Sequence, residues 1–182
     1  MLIPPPEDPS KLCLVVDLDE TLVHAFFSPI ENPDFSFSLE TKPGELVMIY
    51  ILIRPGAKEF LQKLGSLYEI VIFTASFQPY ADYVIDQIDT DNVVKYRLYK
   101  RSCTDYNGCV IKDLSLLNRS LSKIILVDNS SMTSLLQPHN VIVCNTWTDD
   151  LNDRQLFEIQ EFLTVHANDS SVYPFLKKKP SK

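Results

Sequence analysis

The sequence predicts an α/β fold with a central parallel sheet, helices on both faces and a small β-stranded insertion. Continuous apolar runs alternate with segments of helical spacing, which is typical of strands buried on both faces. Three of these runs end in polar residues: Asp17 and Asp19, residues 74–76, and Asp128 with Asn129. Because ligands bind beyond the carboxyl ends of parallel strands, these polar ends are expected to form one site.

Length and composition predict a single domain over residues 1–182. The chain has 182 residues, of which 45% are hydrophobic and 23% are charged, so it can bury an ordinary core and is not disordered. The formal net charge of -7 argues against a nucleic-acid binder, which usually has a basic face. The four cysteines form no CxxC pair, which indicates reduced thiols in the nucleus or cytoplasm and no zinc site.

No membrane segment is predicted. No apolar stretch approaches the roughly 18 residues that indicate a membrane helix. The start, MLIPPPEDPSK, lacks the basic region and the apolar core of a signal peptide. We therefore expect no membrane contact from this segment, while an anchor elsewhere in a longer protein stays open.

From the amino terminus, the sequence predicts an extended arm, a buried strand and a hairpin-like insertion. Four prolines among the first ten residues indicate an extended arm over about residues 1–11. The apolar run at residues 11–17 predicts a short strand. The insertion covers about residues 34–53, where a Pro-Gly turn signal separates two strand-like segments, residues 35–42 and 45–53.

Helices and strands alternate after the insertion. Residues 56–67 have helical spacing, with one apolar face formed by Phe60, Leu61, Leu64 and Leu67. Further predicted elements follow in the order strand 68–76, helix 80–89, strand 96–103, strand 122–130 and strand 140–147.

The last predicted helix is amphipathic and covers residues 152–166. Its apolar side is spanned by Leu156, Ile159, Gln160 and Leu163, and Asn152 or Asp153 is expected to cap its start. The basic end of the chain, about residues 177–182, is expected to be a solvated tail.

The polar strand ends favour phosphoryl chemistry supported by a metal ion. Crowded carboxylates repel one another unless a proton or a cation lies between them. Oxygen ligands without His or Cys favour a hard ion such as Mg²⁺. An aspartate beside this ion can attack phosphorus, and a second carboxylate can exchange the protons. Thr74 is a candidate donor to the phosphoryl oxygens, and Lys112 is a candidate cation, although its spacing alone favours a surface lysine.

A set of motifs resembles a known phosphatase family. DLDETLVH matches the DxDxT signature of the haloacid dehalogenase (HAD) superfamily. From Leu12 to Leu163, the motifs LVVDLDETLVH, RPGAKEFL, VIFTASFQPYAD, KRSC, IKDLS and LVDNS follow in order. Together they resemble the FCP/SCP-like small phosphatases that act on the C-terminal domain of RNA polymerase II, a branch that includes the Dullard type. The resemblance implies the Rossmann-like HAD fold.

The resemblance also implies roles for individual residues. Asp17 would be the nucleophile and a Mg²⁺ ligand, and Asp19 would be the general acid and base and give its backbone carbonyl to the metal. Thr74 would bind the phosphoryl group, and Lys112 would neutralise the phosphate and the nucleophile. The remaining implied metal ligands are Asp128 and Asn129.

The insertion would help to form an apolar groove for a proline beside the phosphoserine. The implied substrate-binding set is Thr21, which would also fix the catalytic loop, with Phe27, Leu39, Met48, Phe77, Tyr80, Lys100 and Arg101. Several positions depart from the family pattern. DNSS replaces DNSP, which is expected to loosen the turn, and Lys100 stands where relatives have arginine, which moves or removes a bidentate contact. The insertion turn has one extra residue, and Arg54 is interpreted as structural.

The sequence thus predicts a monomeric, Mg²⁺-dependent protein serine/threonine phosphatase with an aspartyl-phosphate intermediate. Its expected substrate is a phosphoserine-proline protein such as the polymerase tail. One alternative is a small-molecule phosphatase on the same fold, although the insertion is too short and too strand-like for a large cap. The other alternative is a non-catalytic phosphoprotein-binding module, which predicts a missing nucleophile or metal ligand.

Overall fold

A computed structural model of the chain describes residues 1–179 and contains ten strands and four α-helices there. The strands are β1 (Cys13–Val16), β2 (Val23–Phe26), β3 (Phe35–Lys42), β4 (Glu45–Ile53), β5 (Glu69–Phe73), β6 (Val94–Leu98), β7 (Thr104–Tyr106), β8 (Cys109–Ile111), β9 (Ile124–Asp128) and β10 (Val141–Val143). The helices are α1 (Ala57–Gly65), α2 (Gln78–Ile88), α3 (Gln155–His166) and α4 (Tyr173–Leu176).

The central sheet has the strand order β10-β9-β1-β5-β6 and is parallel throughout. The middle strand, β1, pairs with both β5 and β9, so that Val16 lies opposite Ile72 on one side and Val127 on the other. This register brings the carboxyl ends of three strands to one edge. The predicted α/β class with a central parallel sheet is confirmed.

The two faces of the sheet are covered by different kinds of helix. Leu14 and the residues opposite it on the neighbouring strands face a core that contains the buried sides of all four α-helices. Val15 and the residues opposite it face a second core, which includes Leu114 of a 3-10 helix and Ile3 of the N-terminal arm. Within residues 1–179, the helices predicted on both faces are therefore α-helices on one face and short 3-10 helices on the other.

Helix α1 begins where the sequence predicts, and a glycine allows it to approach α3. Its buried residues recur at helical spacing and are Ala57, Phe60, Leu61 and Leu64. Gly56 precedes the helix with φ 83°, and a Cβ atom there would lie 2.7 Å from the ring of Phe157. The predicted face member Leu67 lies beyond the helix end and is half-buried.

The insertion is a three-stranded antiparallel sheet of order β2-β4-β3. The predicted hairpin of β3 and β4 turns at Gly44, whose φ of 80° suits glycine. Strand β2 was not predicted, because four residues beside the acidic loop give no clear period. Phe37 of β3 is buried and stacks on Tyr83 of α2 at a centroid distance of 4.1 Å, which fixes the insertion against the domain.

Three local predictions differ from the structure. The strand predicted at residues 96–103 is β6, which ends at Leu98, and residues 100–102 form a 3-10 turn. Strands β7 and β8 form an additional hairpin, whose turn has positive φ at Asn107 and Gly108. Arg154 occupies the N-cap of α3 instead of Asn152 or Asp153.

The N-terminal arm packs on the domain. The backbone N–H of Leu2 donates to Leu116 at 2.8 Å, and the carbonyl of Pro4 accepts from Arg119 at 2.5 Å. Of the predicted tail, residues 180–182 lie outside the described residues. Across residues 1–179, no helix is both long and apolar enough to cross a membrane.

Candidate active site

The acidic strand ends lie at one edge of the central sheet. Asp17 follows the last residue of β1, and its N–H donates to the carbonyl of Val127 at 2.9 Å. Asp128 is the last residue of β9, and Thr74 follows β5. All three are buried, with exposed fractions of 7%, 0% and 1% respectively. The meeting of strand ends expected from the sequence is present.

Lys112 joins the two buried aspartates. It follows β8, and its backbone N–H donates to the carbonyl of Thr133 at 2.8 Å. Its Nζ donates to Oδ1 of Asp17 and to Oδ2 of Asp128, each at 2.6 Å. Only 1% of Lys112 is exposed, so it is not the surface lysine that spacing alone favours. One buried positive charge here faces two buried negative charges.

Burial and mutual attraction act in opposite directions on these groups. Burial raises the pKa of Asp17 to about 6, although the Lys112 ammonium lowers it. For Lys112, burial lowers the pKa, but the attraction of Asp17 and Asp128 outweighs this and raises it. The lysine is therefore charged at neutral pH, and its positive charge compensates the burial of the Asp17 and Asp128 side chains.

The loop after β1 is held by a buried threonine. Leu18 accepts backbone hydrogen bonds that close the loop, and Glu20 has φ 56°, an unusual value for a non-glycine residue. The hydroxyl of Thr21 lies 3.1 Å from Oδ2 of Asp17, to which it donates, and it accepts from the N–H of Asn129 at 3.2 Å. Thr21 thus ties the loop to the end of β9.

Asp19 is surrounded by hydroxyl donors. Its Oδ1 accepts from Tyr80 at 2.5 Å, and its Oδ2 accepts from Ser76 at 2.6 Å and from Thr74 at 3.3 Å. Burial, together with the negative charge of Asp19, raises the pKa of Tyr80, so its hydroxyl stays protonated and donates. The Asp19 side chain therefore belongs to a hydroxyl cluster, separate from the Lys112 bridge.

Arg54 supports the site from behind, which agrees with its structural interpretation. It is 1% exposed and forms a bidentate pair with Asp153 at 2.8 and 2.9 Å. It also donates to the carbonyls of Thr21 and Asn145 and to the side chain of Gln155. The loop after β1 and the start of α3 are thereby joined.

The polar groups at this edge suit a hard cation. Within residues 1–179, no group of three or more His, Cys, Asp and Glu side chains could hold a metal. The predicted set requires only two carboxylates, Asp17 and Asp128, with the Asp19 carbonyl and the Asn129 amide. All of these donors are oxygens, the atoms that Mg²⁺ prefers. The N–H of Ser130 donates to Asp128 Oδ1 at 2.8 Å, which orients that carboxylate.

A cleft opens above these residues. Its cavity has a volume of about 620 Å³ and combines the polar residues of the strand ends with an apolar wall. The predicted groove residues Phe27, Leu39, Phe77 and Tyr80 line it. Phe27 and Phe77 are largely exposed, at 72% and 66%, so a bound molecule could cover their rings.

Comparison with known proteins identifies the family. The family model described as NLI interacting factor-like phosphatase matches residues 12–173. The chain belongs to this family. Membership confirms the resemblance to FCP/SCP-like phosphatases that the ordered motifs indicate.

Individual relatives agree with this phosphatase family. The chain is 42% identical over 175 residues to CTD small phosphatase-like protein of Mus musculus, covering 96% of this chain and 63% of that protein. It is 41% identical over 170 residues to human carboxy-terminal domain RNA polymerase II polypeptide A small phosphatase 2, covering 93% and 62%. The chain spans less than two thirds of the length of these relatives.

A solved structure supports the fold. The chain matches fission yeast RNA polymerase II CTD phosphatase Fcp1 bound to beryllium fluoride, with a TM-score of 0.65 and 25% identity. The match covers 93% of this chain and 54% of that one. The HAD-type architecture predicted from the motifs is therefore confirmed for this phosphatase-family domain.

Four residues of the predicted substrate-binding set lie elsewhere. Met48 does not line the cavity, because its strand neighbours Val47 and Ile49 do and successive side chains point to opposite faces. Thr21 is fully buried beneath the loop and does not line the cavity either. The other two, Lys100 and Arg101, line a neighbouring cavity of about 350 Å³ beyond Phe77.

Although Lys100 lines the neighbouring cavity, it stays close to the groove. Its Nζ lies 5.0 Å from the centroid of the Phe77 ring, within the range of a cation–π contact. Phe77 itself lines both cavities. A basic side chain therefore borders the apolar wall of this phosphatase-family site.

Sequence reasoning missed two hydroxyl residues that contact the acids. Ser76 donates to Asp19, and Thr133 donates to Asp128 Oδ2 at 2.8 Å. Ser76 was recognisable only as part of the polar end of β5. Thr133 reaches Asp128 through a 3-10 turn that begins at Ser131, so the turn after DNSS is held by hydrogen bonds without proline.

Proposed function

We propose that the domain is a Mg²⁺-dependent protein serine/threonine phosphatase with an aspartyl-phosphate intermediate. The observation that carries the proposal is the Asp17–Lys112–Asp128 bridge at the floor of an open, apolar-walled cleft. Family membership supports phosphatase chemistry. The presence of every predicted catalytic side chain argues against a purely binding module.

The reaction has two steps. An Asp17 carboxylate oxygen attacks phosphorus in line, and the bond between phosphorus and the seryl oxygen breaks while Asp19 protonates that oxygen. Asp19 then removes a proton from water, and the water oxygen attacks the phosphorus of the aspartyl-phosphate. This releases inorganic phosphate and restores Asp17.

Other residues stabilise charge and hold geometry. Lys112 neutralises charge on Asp17 and on the phosphoryl oxygens, and Thr74 is placed at the same strand edge to donate to them. Asp17, Asp128, Asn129 and the Asp19 carbonyl would hold Mg²⁺. When bound, the ion screens the repulsion between the anionic nucleophile and the anionic phosphate.

The groove favours an extended protein substrate. Its wall includes exposed rings of Phe27 and Phe77 beside the strand edge, where a residue next to phosphoserine would lie. A proline ring is a rigid apolar group that fits such a wall. We propose the phosphorylated C-terminal domain of RNA polymerase II, or a similar phosphoserine-proline protein, as the substrate. The proposed location is accordingly the nucleus or cytoplasm, and the proposed state is a monomer.

The test compares substrates and metal conditions. A phosphoserine-proline peptide should be hydrolysed with Mg²⁺ and not with EDTA, and more efficiently than the same peptide with alanine after phosphoserine. Sugar phosphates should be poor substrates, because the insertion forms no enclosing cap. Turnover in EDTA, or a preference for sugar phosphates, would contradict the proposal.

Metal binding can also be measured without activity. Mg²⁺ should raise the thermal unfolding midpoint, since a ligand at about 100 times its dissociation constant adds about 2.7 kcal/mol to the free energy of unfolding. The rise should vanish in Asp128→Asn and remain in Asp149→Asn, a change at an exposed loop. An equal rise in both variants would place the ion elsewhere.

A further inference from the structure

The Asp19 carboxylate is held at both of its oxygens. Tyr80 donates to Oδ1 at 2.5 Å, while Ser76 and Thr74 donate to Oδ2 at 2.6 and 3.3 Å. A carboxyl group transfers a proton only when it lies within hydrogen-bond reach of the reacting oxygen. The donors that set its orientation therefore affect the rate of the proton transfer.

Tyr80 also belongs to the apolar wall. It lies in the first turn of α2, is 8% exposed and lines the cavity. Its ring centroid lies 6.3 Å from that of Phe37 on the insertion sheet, and Phe37 stacks on Tyr83 one turn further along α2. The ring is thus packed between the groove and the insertion, and its hydroxyl has a fixed direction.

We propose that Tyr80 is a positioning residue for Asp19 and that it links the groove to proton transfer. This inference rests on the proposed phosphatase function. Without the hydroxyl, Asp19 keeps its donors at Oδ2 and loses its donor at Oδ1, so the carboxyl group is free to rotate. A substrate residue that fills the groove contacts the same ring that holds Asp19 in place.

The test uses the dependence of rate on the leaving group. Tyr80→Phe removes the hydroxyl and keeps the ring, so the groove retains its shape. Under single-turnover conditions, phosphoryl transfer from a phosphoserine peptide should slow by about 10-fold, because the poor seryl leaving group needs the proton. Transfer from p-nitrophenyl phosphate should slow by less than about 2-fold, since this leaving group departs as an anion. The KM for the peptide should stay within about 2-fold of the parent value.

Two further variants sharpen the result. Tyr83→Phe removes a hydroxyl from the neighbouring ring, which has no hydrogen bond to Asp19 among the described residues, and both rates should be unchanged. Ser76→Ala removes the closer of the two donors at Oδ2 and leaves Thr74 and the apolar wall in place, so it should show a selective loss of the same kind as Tyr80→Phe. Thermal unfolding of each variant checks that the fold is retained.

The outcomes separate the inference from the function on which it rests. If the parent protein hydrolyses the peptide but Tyr80→Phe slows both substrates equally, or only raises KM, Tyr80 is a groove residue and the inference is wrong. Unchanged kinetics would also overturn it. A parent protein that hydrolyses neither substrate would overturn the proposed function itself, and the inference with it.

Discussion

The floor and the wall of the cleft differ in how far the fold fixes them. On the floor, Asp17, Lys112 and Asp128 are buried and joined by contacts of 2.6 Å. On the wall, Phe27 and Phe77 keep most of their surface exposed. Buried charges are costly unless each has a partner, whereas an exposed ring costs little and gains energy when a ligand covers it. The fold therefore fixes the floor, whereas the wall is left for a bound molecule to cover.

The largest expected effect comes from Asp17, the proposed nucleophile on the floor. Asp17→Asn keeps the size of the side chain and removes the attacking carboxylate, so turnover of a phosphoserine peptide should fall by more than about 1,000-fold. Asp149→Asn, on an exposed loop, is the matched control and should keep full activity. Substantial activity in Asp17→Asn would mean that another group attacks phosphorus.

Removing the bridge should affect stability as well as turnover. Lys112→Met leaves Asp17 and Asp128 buried without their cation, and breaking such a pair costs about 3–5 kcal/mol of the free energy of unfolding. Denaturant titration in EDTA measures the loss, and Lys58→Met, at an exposed position of α1, should change stability by less than about 0.5 kcal/mol.

The double variant Asp17→Asn with Lys112→Met gives a stricter test of the bridge. Because the first change removes one of the two unpaired charges, the combined loss should be smaller than the sum of the single losses. Additive losses would show that Lys112 stabilises the domain through packing alone.

On the wall, the expected effects are smaller and fall on binding. Phe27→Ala removes a ring that the substrate would bury, so KM for the peptide should rise by about 10-fold, which corresponds to about 1.4 kcal/mol. Met48→Ala is the control, since Met48 is exposed outside the cavity, and its KM should be unchanged. A larger effect from Met48 would place the groove on the other face of the insertion sheet.

The sequence was informative where a short apolar run ends in an acid and uninformative within a long apolar run. Asp17 and Asp128 were predictable because each ends a short apolar run, which is typical of a buried strand. Residues 45–53 are apolar almost throughout, so the sequence did not indicate which side chains face the cleft. A shift of one residue exchanges the two faces, so Met48, which the resemblance implies, lies on the face opposite to Val47 and Ile49.

Contacts made by irregular segments could not be predicted from local spacing. Lys112 reaches Asp17 because the β7–β8 hairpin and the carbonyl of Thr133 position its backbone. The hairpin has strands of only three residues, and Thr133 lies in a 3-10 turn. Neither has a hydrophobic period, so the resemblance to a family was needed to choose this lysine.

The smallest expected effect tests whether the wall is coupled to the position of Asp19. Phe37→Leu loosens the packing of the Tyr80 ring, so phosphoryl transfer from the phosphoserine peptide should slow by about 2-fold. In the Tyr80→Phe background, Phe37→Leu should have no further effect, because a residue that acts through the Tyr80 hydroxyl cannot act once that hydroxyl is gone. Phe35→Leu is the control, because Phe35 lies on the same strand and contacts the rings of Phe37 and Tyr83. This variant should leave the rate of phosphoryl transfer unchanged. If the effects of Phe37→Leu and Tyr80→Phe are additive, the insertion shapes the groove alone, and Asp19 is positioned independently of the wall.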